Sequence, residues 1–247
     1  MSEDVAAERR ARIYVQVTVD LAILTVRDGS LQILLIRRGN EPYQNHLALP
    51  GGFIREGEGL REAAHRELGE ETGLDSALLH LTELGAYGAP DRDPRGRIIS
   101  VAFLAIAPNL PSPVAGTDAV GARWMPVESA LADRTFLAFD HFDIATDAVE
   151  RARTMLEQTM LAPVFCAPEF TMGELREVYE VVWGIPLDPR NFSRKVKNTP
   201  DFVKETGNKR SPAIGRPAIL YTAASPSDAT LYPAMLRHAL KDDAAEG

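Results

Sequence analysis

The feature that most restricts this chain is a run of carboxylates where a helix should be apolar. Leu60, Ala63, Ala64, Glu67, Glu70, Glu71 and Leu74 recur at spacings of three and four. At about 100° per residue they share one arc of a helix. The spacing predicts a helix from Leu60 to Thr72, closed by Gly73 as a C-cap. Its stripe opens with leucine and two alanines, and then three glutamates take its middle. On a partly buried face, three carboxylates repel one another and lose hydration. A hard divalent cation with oxygen ligands removes that conflict. Mg²⁺ suits carboxylates combined with substrate phosphates, and Mn²⁺ can substitute for it. Glu58, just before the helix, can add a ligand or orient one, and Arg66 can pair with a carboxylate and fix its rotamer.

The surrounding pattern is mixed α/β. Ile13 to Val26 is apolar and β-branched, Asp28-Gly29 marks a hairpin turn, and Leu31 to Arg38 is apolar again. Pro50-Gly51-Gly52 breaks the chain before the carboxylate helix. Ile98 to Ile106 reads as a buried strand, Ala122 to Val127 as a shorter one, and Leu137 to about Met160 as a helix. Pro163 and Pro168 punctuate a candidate linker.

Spaced as they are, Gly52, Glu58, Arg66-Glu67-Leu68, Glu70-Glu71 and Gly73-Leu74 make up a complete Nudix box. The region resembles a Nudix hydrolase domain. The resemblance implies an α/β/α sandwich that cleaves a nucleoside diphosphate linked to another group. It assigns Mg²⁺ to Glu67, Glu70 and Glu71 with Glu58 assisting, and makes Arg66 part of the catalytic set. Asp118 and Glu128 are candidates for a general base outside the box, each competing with a plain loop acid. Pro90-Asp91-Arg92-Asp93-Pro94-Arg95-Gly96 resembles a loop of Nudix domains that handle ADP-ribose. Arg92 and Arg95, with Arg37, Arg38 and Gly52, are therefore candidate ligand contacts; a surface turn of proline and charge is the plainer alternative.

Charge changes sign along the chain. The 247 residues carry a net −8, which on average repels nucleic acid and anionic membranes. Yet Leu187 to Thr222 holds eight Lys or Arg against three acids. A segment of +5 thus sits on a remainder of −13, as two domains with different partners would. Thr171 with Glu174 forms a capping box ahead of Leu175, Val178, Tyr179 and Val182. Asp188-Pro189 starts a second helix, and Phe202-Val203 with Ile219 to Tyr221 read as two short strands around a Gly207 to Gly215 loop. This is the layout of a winged helix-turn-helix. Its second helix offers Arg190, Asn191, Ser193, Arg194, Lys195, Lys197 and Asn198 to a major groove, and its wing offers Lys209, Arg210 and Arg216 to backbone or minor groove.

The two halves together resemble the Nudix-related transcriptional regulators (NrtR), over roughly Arg12 to Thr222. Expected units are 12–160 (Nudix), 168–225 (winged helix) and a 226–247 tail, a short helix followed by frayed acidic chain. The resemblance implies a homodimer that senses ADP-ribose and represses genes of NAD metabolism from a double-stranded operator. The rival is a Mg²⁺-dependent ADP-ribose pyrophosphatase releasing AMP and ribose 5-phosphate, whose C-terminal domain reads no DNA. Many members of the family carry a damaged box; this one is whole, so hydrolysis stays open.

Other features are plain. One cysteine, Cys166, excludes an internal disulfide framework and any cysteine-cluster zinc site, and reads as an inert thiol. The five histidines are scattered without metal-ligand spacing. Trp124 and Trp183 read as core. Met1 to Arg12 lacks the apolar stretch of a signal peptide, and Ile98 to Pro108 is too short to span a bilayer. A soluble cytoplasmic protein without membrane association is expected.

Overall fold

A computed structural model of the chain describes residues 13–73, 79, 81–108, 110–112, 119–211 and 217–240. The N-terminal domain is built on a seven-stranded mixed sheet. It comprises β1 (Gln16–Arg27), β2 (Ser30–Arg38), β3 (Leu47–Ala48), β4 (Gly51–Phe53), β5 (Thr82–Tyr87), β6 (Ile98–Pro108) and β7 (Ala119–Pro126). Long apolar runs make β1 and β6 the buried centre, where they pair in parallel from Gln16↔Ile98 to Val26↔Pro108.

Alternation along β1 divides its side chains between two layers. Val19, Leu21 and Ile23 pack with Ala63, Ala64 and Leu68 of α1 (Leu60–Thr72). Ala22 and Leu24 pack on the opposite face with Ile144, Ala145, Ala148 and Ala152 of α3 (His141–Gln158). A short α2 (Val127–Ala130) precedes α3. The result is the expected α/β/α sandwich.

The C-terminal domain follows as β8 (Phe170–Thr171), α4 (Met172–Trp183), α5 (Pro189–Asn198), β9 (Val203–Arg210) and β10 (Ala218–Ala223). Both predicted helix starts are present. Thr171 Oγ1 accepts Glu174 N–H while Glu174 accepts Thr171 N–H, and Asp188 accepts Asn191 N–H at 2.6 Å. Strands β8, β10 and β9 complete the winged helix. Its core is continuous with the α3 layer: Tyr179, Val182, Trp183, Phe192 and Val196 are buried in one cluster with Val149 and Leu156.

Three segments differ from the sequence reading. Gly51–Phe53 pairs with Thr18–Asp20 and does not simply break the chain. Strand β9 runs through Gly207 and Asn208, which the sequence assigned to the loop. The segment 226–240 is no loose tail. Leu231, Met235 and Leu240 are buried, Leu231 N–H donates to Gln158 O at 2.7 Å, and Asp188 N–H donates to Leu240 O at 3.3 Å. It forms a strap from the end of α3 to the start of α5, closed by α6 (Arg237–Leu240). Trp183 is core as expected, whereas Trp124 is half-buried with its indole N–H on Pro111 O. Among the described residues no helix is long and apolar enough to cross a membrane.

A packed strap makes a stability prediction. Leu231→Ala should lower unfolding free energy by about 2–5 kcal/mol in chemical denaturation. A change within about 0.5 kcal/mol would mean the strap is loose.

Candidate functional site

Strand β1 opens the site by changing partners. Its first half pairs with β4 over Thr18–Asp20 and its second half with β2 over Leu24–Arg27. Strands β2 and β4 therefore splay, and a cavity of about 450 Å³ lies between them, floored by α1. Five carboxylates (Asp20, Glu67, Glu70, Glu71, Asp93) and five arginines (Arg38, Arg55, Arg66, Arg92, Arg95) line it. Their formal charges cancel. An added pyrophosphate makes the site anionic, and a divalent cation restores balance.

Arg66 organises the α1 side. Its guanidinium donates to both oxygens of Glu58 (2.7 and 2.8 Å), to Glu67 (2.6 Å) and to Glu70 (3.2 Å). Those hydrogen bonds hold Glu58 down at about 2. Both Glu58 oxygens accept from Arg66, and one also accepts Arg55 N–H. Glu67 is buried, and burial pushes its carboxyl above the usual range against the pull of Arg66. Glu70 also takes two bonds from Arg55 at 3.0 Å, and Glu71 accepts Gly51 N–H at 2.7 Å. Gly52 is required by contact: a Cβ there would stand 2.3 Å from Glu67 Oε1. A buried carboxylate pressed on glycine backbone, with two more on the same wall, is a donor set suited to a hard cation. Among the described residues no three such groups converge in liganding geometry.

The opposite wall is a buried polar network. Arg92, with its side chain 3% exposed, donates to Asp140 at 2.6 and 2.8 Å and to Asp20 at 3.3 Å. Burial opposes the Arg92 charge, but Asp140 and Asp20 outweigh it and raise its pKa. His141 is fully buried, and burial lowers its pKa. Its Nδ1 accepts Leu49 N–H at 2.9 Å, which places the proton of the neutral ring on Nε2, 3.6 Å from Asp20. With that lone pair taken, His141 is a structural tie and no general base. Arg95 lies over the rings of Phe53 (5.1 Å) and Phe139 (5.3 Å), and Arg38 over Phe139 (4.7 Å). Burial pushes Asp93 up, yet the Arg95 hydrogen bonds prevail and hold it low. The buried Thr18 hydroxyl in the cavity wall has no hydrogen-bond partner.

Of the residues singled out in the sequence, the structure brings Gly52, Arg66, Glu67, Glu70, Glu71, Arg38, Arg92 and Arg95 together in the cavity lining. Arg37 points outward: alternation on β2 exposes it and turns Arg38 to the cavity. Glu128 is exposed on α2, away from the cavity, and Asp118 lies outside the described residues. The sequence missed Asp20, Phe139, Asp140 and His141. The one available signal was Asp20, an acid inside a long apolar run.

On the winged helix, Phe192 and Val196 face inward while Arg190, Asn191, Arg194, Lys197 and Asn198 are exposed. Arg194 donates to Asn191 at 3.0 Å. Ser193 and Lys195 are half-buried, Lys195 beside Leu236 and Leu240 of the strap. Lys209 is exposed, whereas Arg210 is drawn onto Glu174 at 2.6 Å. Arg216 and Leu74 lie outside the described residues. Cys166 is half-buried and its thiol is pushed up to about 12 by burial, as an inert cysteine should be.

The β1 fork with its carboxylate helix defines the first module as a Nudix domain, and the NUDIX domain family matches residues 16–146. The NrtR DNA-binding winged helix domain family matches residues 165–223. The chain belongs to the NrtR family, a Nudix domain fused to this winged helix. It is 35% identical to the ADPR responsive transcriptional repressor NtrR of Acinetobacter baylyi, over 90% of this chain and 87% of that protein. A crystal structure of Shewanella oneidensis NrtR complexed with a 27mer DNA superposes with a TM-score of 0.68 at 31% identity, covering 87% of this chain and 98% of that one. A cocrystal structure of the NUDIX domain of that protein complexed with ADP ribose gives 0.53 at 30%, covering 62% and 99%.

The buried His141 predicts a pH effect. The unfolded ring takes up a proton below about 6.5, and the folded one resists it, so the unfolded state binds more protons and stability falls with acidification. Denaturation midpoints should drop from pH 7 to pH 5, and His141→Asn should flatten that slope; an unchanged slope would count against the buried neutral ring.

Proposed function

We propose that this protein is an ADP-ribose-responsive, DNA-binding repressor of NAD-metabolism genes, acting as a homodimer. The observation that carries the reading is the pairing, in one chain with a shared core, of an arginine-and-carboxylate cavity with a winged helix that exposes a basic second helix. What the Acinetobacter and Shewanella proteins are said to bind supports it. The working units are 12–160 for the ligand and 168–225 for DNA, with 226–247 appended.

On the ligand side, Arg92, Arg95 and Arg38 would meet the pyrophosphate, and the Gly52 backbone would let it approach α1. Mg²⁺ or Mn²⁺ on Glu67, Glu70 and Glu71 would neutralise phosphate oxygens and lower the pKa of a bound water. Arg66 holds Glu67 and Glu70 in place for that role, and Glu58 holds Arg66. On the DNA side, Arg190, Asn191, Arg194 and Lys197 would enter the major groove. Ser193, Lys195, Lys209, Arg210 and Arg216 would add backbone contacts. Reaching phosphate would require Arg210 to leave Glu174. Arg66, Glu67, Glu70 and Glu71 in one cavity, with Glu58 bonded to Arg66 behind them, favour a second activity, hydrolysis of the same ligand.

Binding to the protein's own upstream DNA, with and without ADP-ribose and Mg²⁺ and with AMP release followed in parallel, tests both readings. A specific complex that ADP-ribose alters is the expected result. Absence of a specific complex together with rapid AMP release would leave only the hydrolase. Arg194→Ala should cost about 1–3 kcal/mol of specific binding and leave AMP release unchanged. Glu70→Gln should abolish any AMP release and leave DNA binding intact.

A further inference from the structure

Helix α3 touches both working ends of the molecule. At about 1.5 Å per residue its 18 residues span about 27 Å, with no glycine or proline to bend it. Its N-cap, Asp140, makes no side-chain bond to the helix's own amides. Its carboxylate is turned instead onto the cavity's Arg92, at 2.6 and 2.8 Å. The next residue, His141, ties α3 to Leu49, just ahead of the Gly51–Gly52 backbone that edges the same cavity.

The far end of α3 is fastened to the winged helix by directional bonds. Trp183 Nε1–H donates to Arg153 O at 3.2 Å, Arg153 Nε–H to Val182 O at 3.0 Å, and Tyr179 O–H to Leu156 O at 3.1 Å. The Tyr179 ring then packs on Phe192 of α5 at 5.4 Å. The strap makes a second connection, leaving Gln158 of α3 and ending on the Asp188 amide that opens α5.

We propose that the Arg92–Asp140 ion pair is where cavity occupancy is passed to α3, making Asp140 a positioning residue and α3 the lever to the winged helix. The inference rests on the regulator reading and adds its internal route. Arg92 is the point of exchange because its guanidinium has a fixed fork of donors. An anionic ligand that takes the Nε–H or Nη2–H takes it from Asp140. A half-buried carboxylate left without its partner is costly, so the start of α3 resettles. The other end cannot stay behind without breaking three hydrogen bonds. Occupancy then biases two arrangements of one rigid element, which is what coupling requires.

Asp140 does not line the cavity, so Asp140→Asn removes its charge and leaves the lining intact. Three quantities are read in the full chain: ADP-ribose affinity, operator affinity, and the factor by which ADP-ribose changes operator affinity. In the variant ADP-ribose should still bind, operator affinity without it should stay within about threefold, and the factor, typically about 5–150-fold for such couplings, should fall to near one. A factor of wild-type size overturns the proposal, as does a loss of ADP-ribose affinity large enough to account for the lost response. Should Asp140→Asn not fold, Trp183→Phe decides at the other end of α3: loss of the factor supports the lever and full retention overturns it. If the wild-type chain binds no operator, the regulator reading has failed, and hydrogen exchange without DNA decides separately. ADP-ribose should then change protection over 150–158 and 179–184 in the wild type and not in Asp140→Asn; equal changes in both overturn it.

Discussion

Of the three glutamates that α1 turns to one cavity, Glu67 and Glu70 are held by a single guanidinium and Glu71 by the Gly51 amide. Arg66 reaches Glu58, Glu67 and Glu70 at once, and without it the inner wall of the site would be a cluster of like charges losing hydration. Much of the local structure follows from that constraint. Gly52 has to lack a side chain because Glu67 occupies the space where its Cβ would go. Ala63, Ala64 and Leu68 of α1 have to be apolar because they pack with Val19, Leu21 and Ile23 of β1, whereas Glu67, Glu70 and Glu71 open onto the fork between β2 and β4.

The opposite wall solves the same problem with a different geometry. Arg92 is enclosed between Asp20 and Asp140, and a neutral His141 fills the remaining space without adding charge. Since Asp140 and His141 also begin α3, the chemistry of the cavity and the mechanics of the domain junction share residues. The junction is a continuous apolar core, reinforced by the strap of residues 226–240. A linker of ordinary flexibility would have kept ligand and DNA ends independent.

What the sequence disclosed follows from range. Helix α1, its Gly73 cap, the Thr171–Glu174 capping box and the Asp188 cap are set by residues within four positions of one another, and each was legible. Asp20, Asp140 and His141 meet Arg92 only because the β1–β6 register and the packing of α3 bring distant segments together, so spacing carried no trace of them. Strand β4 was hidden by its two glycines, and β9 by lysine, glycine and asparagine on an exposed two-stranded ribbon that looks like loop. The strap was hidden because Leu231, Met235 and Leu240 fit neither a helical nor a strand period; they pack on α3 and α5, elements far away in sequence.

One chain joins the arginine-and-carboxylate cavity to the basic helix α5. Linkage is reciprocal, so the most direct measurement is calorimetric titration of ADP-ribose into the protein alone and into its operator complex. Bound operator should shift ADP-ribose affinity by the same factor that ADP-ribose shifts operator affinity. Equal ADP-ribose affinities with and without operator would contradict it.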